Sequence, residues 1–113
     1  MKPLLLANRY MEIFYGGGPI DSLKDLLADN FEFKGPFYEF HSAAEYIASL
    51  KSDPPPQAVK YTLIQAYENE TSACLVYQFS KRGVSTPMAQ TFQVANEKIT
   101  NILLVFDTAA FNI

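Results

Sequence analysis

Between residues 58 and 107 the chain offers little except β-strand. Four segments, 58–68, 71–80, 86–95 and 98–107, are rich in β-branched and aromatic residues and are separated by "NE", "KRG" and "NE". Strands joined this tightly pair as an antiparallel meander, because a parallel joint needs a crossover of a dozen or more residues. The last segment contains "ITNILLVF", apolar on both faces, which predicts cover on each side of the sheet.

The layer that covers one side must come from the N-terminal half. Residues 4–15 read as a helix with Asn8, Arg9 and Glu12 in one narrow polar sector beside Leu5. Leu4, Leu6, Ala7, Tyr10, Met11, Ile13, Phe14 and Tyr15 fill the rest of its circumference, so it is covered on most sides. "GGGP" at 16–19 stops it, and Asp21 suits the start of a short second helix carrying Leu23, Leu26 and Leu27. "FEFK" at 31–34 alternates as a strand, ended by Gly35-Pro36.

Ser42-Ala-Ala-Glu45 is a capping box in which Glu45 reaches back to the cap N–H. Ala43, Tyr46, Ile47 and Leu50 follow at helical spacing, and "SDPPPQ" at 52–57 closes the helix with a stiff connection. The expected fold class is α+β: a curved antiparallel sheet wrapped around three N-terminal helices, in the order helix-helix-strand-helix and then a four-strand meander. With 113 residues, 49% hydrophobic and 19% charged, residues 1–113 read as a single globular domain.

Composition narrows the function classes. The net charge of −3 and dispersed basic residues, with Lys81-Arg82 in a hairpin turn, argue against a nucleic-acid partner. The leucine run near the N-terminus is interrupted by Arg9 and Glu12, too short for a membrane span. A single cysteine, Cys74, excludes an internal disulfide framework and fits a reducing, cytoplasmic compartment; it reads as a buried, inert thiol in a strand. Aromatic residues make up 14% without any Trp, and so many rings need a thick core or a lined cavity.

Three pieces of sequence carry a resemblance: "RYMEIFYGGGPIDSLKDLLADNFEFKGP", "HSAAEYIASL" and "NEKITNILLVFDTAAF". Together they resemble the nuclear transport factor 2-like cone fold (cystatin-like), and within it the SnoaL-like and ketosteroid-isomerase-like proteins. The resemblance implies a homodimer formed through the sheet. It does not imply one reaction, since the cone hosts isomerases, cyclases, hydrolases and plain binding modules. The family's carboxylate base stands just before the proline of the first strand, where this chain has Gly35. The family's oxyanion-hole tyrosine falls on Tyr10 and its protonated acid on Gln90, which donates a hydrogen bond but no proton. A steroid-type isomerase would lack two of its three groups.

The remaining acid–base candidates are Glu39, His41 and Asp107, with Tyr10 beside them as a phenol. His41, the only histidine, precedes the capping box and reads first as a residue outside the helix. Glu39 sits in "FYEFH" and points outward if Phe37 and Phe40 point in. Asp107 begins "D-x-x-x-F", where a carboxylate stabilises a turn. With no second histidine and no clustered carboxylates, neither metal nor cofactor is expected.

Alternation places Leu75, Tyr77 and Phe79 on one strand face, and Met88, Gln90 and Phe92 on the next. With Tyr10, Phe14, Phe31, Phe33, Phe37, Tyr46 and Tyr61 they would line an aromatic site for a small apolar or aromatic molecule. The same pattern also fits a cone filled by its own rings. Two functional classes follow: a small-molecule binder of the SnoaL-like cone, or a SnoaL-like cyclase, isomerase or hydratase using Tyr10, Glu39, His41 and Asp107. A protein-binding scaffold is a third, and would need a large exposed apolar patch.

Overall fold

The computed structural model describes residues 2–16, 18–53 and 59–111; the "PPPQA" connection and the middle glycine of "GGGP" lie outside them. Among these residues the order is α1 (Pro3–Gly16), a 3-10 helix η1 (Ile20–Asp25), β1 (Leu27–Lys34), β2 (Glu39–Phe40), α2 (Ala43–Ser52), β3 (Lys60–Glu68), β4 (Ser72–Lys81), β5 (Val84–Ala95), β6 (Lys98–Phe106) and a second 3-10 helix η2 (Thr108–Phe111).

The described strands form one sheet, ordered β2-β1-β6-β5-β4-β3. Its β3–β6 portion is the antiparallel meander the turns predict. β1 joins β6 in parallel, Phe33 opposite Ile102, so the sheet is mixed rather than antiparallel throughout. The long crossover between β1 and β6 frees that joint from the constraint a hairpin imposes. Bulges between Leu63 and Gln65 and between Gln93 and Val94 bend the strands, and the helices occupy the concave side.

Helix α1 lies across β3, β4 and β5, burying Pro3, Leu6, Ala7, Tyr10 and Met11 at helical spacing. Pro3 sits in the first turn, where a missing N–H breaks no helical bond. The Leu4 N–H donates to Glu68 Oε2 at 3.0 Å, tying that turn to the end of β3. The second helix is shorter than its leucine spacing suggests. Leu26 N–H closes onto Leu23 O (3.0 Å) and Ile99 N–H donates to Leu26 O (2.7 Å), so Leu27 already belongs to the sheet.

At α2 the Ser42 hydroxyl accepts the Glu45 N–H at 3.1 Å, as a capping serine should. Glu45 accepts the His41 N–H (3.3 Å), one residue before the expected cap donor. Within the single chain the outer sheet face carries no cover, and the reading of Cys74 as fully buried fails. Leu103 and Val105 of β6 remain 43% and 54% exposed, because the helices cover only the concave face. Cys74 is half-buried, not fully buried, since its strand position points to that same uncovered face. Among the described residues no helix is long and apolar enough to cross a membrane.

Candidate functional site

The concave face is not uniformly filled. Where α1 ends, a pocket of about 400 Å³ opens between α2, the corner after β1, the ends of β4–β6 and η2. Its walls are rings in mutual contact. Phe33 stacks on Tyr46 with centroids 5.1 Å apart, Phe40 meets Tyr46 at 5.4 Å, and Phe111 meets Phe106 at 5.0 Å. Phe37 is 53% exposed, yet its ring stands edge-on to Phe106 at 5.4 Å, so it forms a rim.

Of the side chains expected around a ligand, Phe14, Phe33, Phe37, Tyr46, Phe79 and Met88 line this pocket. Tyr10, Phe31, Leu75, Tyr77, Gln90 and Phe92 do not; all are buried in the core. Tyr61 is half-buried at the edge against Tyr15, with centroids 4.7 Å apart, and also lies outside the lining. Strand alternation correctly assigns these residues to the concave face, but α1 lies over that part of it. The edge-on contact of Tyr10 with Phe92 at 5.5 Å is where helix and sheet close.

The sealed polar tips satisfy one another. Tyr10 and Tyr46 share a hydrogen bond between their hydroxyls, and the Tyr77 O–H donates to Gln90 Oε1 at 2.8 Å. Among the described residues no buried side-chain nitrogen or oxygen lacks a partner. Burial pushes Tyr10, Tyr46 and Tyr77 well above the ordinary phenol range and Tyr15 up to about 12. Neighbouring phenols push Tyr10 and Tyr77 further in the same direction. These groups stay neutral near pH 7 and act as hydrogen-bonding groups, not bases.

The acid–base candidates are elsewhere. His41 is exposed, with Nδ1 3.9 Å from Glu32 and Nε2 3.7 Å from Glu39. That cluster lines a separate cleft with Thr91, Gln93 and Asn101, on the opposite side of the sheet from α1. Asp107 is exposed and its Oδ1 accepts the Ala109 N–H at 2.9 Å, holding the turn into η2. That turn carries Phe111 into the pocket wall. Gly35 is also part of that wall: a Cβ there would lie 3.2 Å from the Phe33 ring and 3.6 Å from Leu104 Cβ. Among the described residues no group of three His, Cys, Asp or Glu side chains could hold a metal ion.

Several lining residues escape the sequence reading, though their signal is present. Lys81 continues the period-two face of Leu75, Tyr77 and Phe79, and Leu104 and Phe106 continue that of Ile102. Ser49, Leu50 and Asp53 follow Tyr46 at three, four and seven residues along α2. Asp53 and Lys81 are therefore the charged side chains of the lining among the described residues.

A family model for the SnoaL-like domain matches residues 7–102. The chain belongs to the SnoaL-like family. Solved structures of nuclear transport factor 2-like proteins share its fold. An NTF2-like protein from Cytophaga hutchinsonii superposes with a TM-score of 0.80 at 18% identity, over 96% of this chain and 92% of that one. An NTF2-like protein from Mesorhizobium loti gives 0.80 at 11%, over 93% and 90%. An LEH-like epoxide hydrolase from M. tuberculosis gives 0.77 at 12%, over 93% and 82%. No curated protein matches the sequence. Identities this low carry the fold of this SnoaL-like chain and nothing finer.

Proposed function

We propose that this SnoaL-like protein binds a small apolar or aromatic molecule in the ring-walled pocket and has no catalytic base there. The supporting observation is the separation of chemistry from cavity. Glu39, His41 and Asp107 all lie outside a lining dominated by Phe, Tyr, Leu and Met, and the buried phenols are neutral, Tyr10 paired with Tyr46 and Tyr77 with Gln90. A wall of this kind gains free energy by removing ring surface from water, about 25 cal/mol per Å² buried, and orients the ligand through few polar groups.

The alternative is an enzyme of the cyclase, isomerase or hydratase kind. It would need a proton acceptor at the reacting carbon, and in this pocket that role falls to Asp53, which is exposed at the mouth. As accompanying proposals, the protein works in the cytoplasm as a homodimer, with the outer sheet face around Leu103 and Val105 as the contact.

Titration with 2-naphthamide, a neutral planar probe, tests the binding reading. Saturable binding is expected, and Phe106→Glu should abolish it while the far-ultraviolet circular dichroism stays unchanged. Absence of binding, or binding indifferent to Phe106→Glu and to Leu50→Glu, would count against the pocket.

A further inference from the structure

The mouth of the pocket is electrically two-sided. On one side α2 ends, its last carbonyls and Asp53 presenting negative charge; Asp53 N–H bonds Ser49 O at 3.0 Å as the helix closes. On the other side Lys81, the final residue of β4, turns inward at the hairpin whose Gly83 has φ 79°. Its ammonium stands 5.2 Å from the centroid of the Phe111 ring, and the side chain is partly buried. The ion pairs among the described residues use Asp21, Lys24, Lys51, His41, Glu32 and Glu39, never Lys81. A partly buried lysine thus lines an aromatic cavity with its ammonium over the Phe111 ring, and no carboxylate of the described residues pairs with it.

We infer that the pocket selects planar aromatic carboxylates, holding the ring among its phenyl groups and the anionic head at Lys81. This rests on the binding reading above and names the ligand class for the same site. The apolar floor excludes a buried carboxylate, so the charged end must face the mouth. There the α2 terminus and Asp53 repel it and Lys81 attracts it, which fixes the orientation. A charge-assisted contact with Lys81 also costs little desolvation, since the ammonium is already partly withdrawn from water against Phe111.

The test compares 2-naphthoate with its neutral isostere 2-naphthamide by calorimetric titration at low salt. The wild type should prefer the acid by about fivefold, the scale of a partly exposed ion pair. Lys81→Met should remove that preference, and Lys81→Arg should keep it. Asp53→Asn should widen the preference for the acid. Equal binding of acid and amide by the wild type, or a preference that survives in Lys81→Met, overturns the inference and leaves the pocket reading standing. Binding of neither probe overturns both.

Discussion

Two ends of the same concave face meet different fates. Under α1, Tyr10, Tyr77, Gln90 and Phe92 are packed so closely that their polar tips are satisfied within the core. Beyond the end of α1, Phe33, Phe79, Met88 and Phe106 belong to the same face, but α1 does not reach the space above them, and α2 and η2 only wall it. Residue types at the two ends are alike: rings with an occasional phenol. The length of α1 separates core from cavity. A substitution under α1 should therefore act on stability, and one beyond it on ligand affinity.

The largest expected effect is in the sealed half. Phe92→Ala should lose about 3–5 kcal/mol in chemical denaturation, the usual consequence of a cavity at a fully buried ring. Tyr77→Phe, which leaves Gln90 Oε1 without that donor, should lose about 1–3 kcal/mol. If either variant weakens probe binding more than it lowers stability, the division between the two ends is wrong.

The buried phenols also predict an alkaline limit. Tyr15 ionises near 10.0 when unfolded but only near 12 when folded, so the unfolded chain releases its proton first. Its contribution is complete below pH 10 and is lost as pH rises toward 12, at about 1.4 kcal/mol for each pH unit between the two values. Tyr46 and Tyr77 act in the same direction. Melting temperature should fall steeply across that window, and less steeply in Tyr15→Phe. A flat profile would contradict the burial of these hydroxyls.

Smaller effects belong to the open half and the outer face. Phe79→Ala should weaken 2-naphthamide binding about tenfold, the loss of roughly 1–2 kcal/mol from one anchoring ring. His41→Ala should change stability by less than about 0.5 kcal/mol and leave probe affinity unchanged, since both its carboxylate neighbours are solvent-exposed. Loss of binding in His41→Ala alone would move the site to the other side of the sheet.

The layout is legible in the sequence because it rests on local signals. Period-two alternation marks β4 and β5, the Ser42–Glu45 pair marks the start of α2, and short polar turns mark the meander. The parallel joint of β1 with β6 is a long-range pairing that no local pattern encodes. The site is half legible for the same reason. Alternation gives the face of Phe79 and Met88, but not where α1 stops covering it. Lys81 reads as a turn residue because its charge outweighs its place in the alternation. Phe111 stays hidden because it reaches the pocket only through the fold of the Asp107 turn.

Where a ligand sits distinguishes the open half from the sealed one. Methyl-resolved NMR during 2-naphthamide titration reports this directly, since Met88 and Leu104 line the pocket while Leu75 and Ile99 are wholly buried. The Met88 and Leu104 signals should shift saturably while Leu75 and Ile99 stay in place. Movement confined to Leu75 and Ile99, or no movement at all, would contradict a site beyond the end of α1.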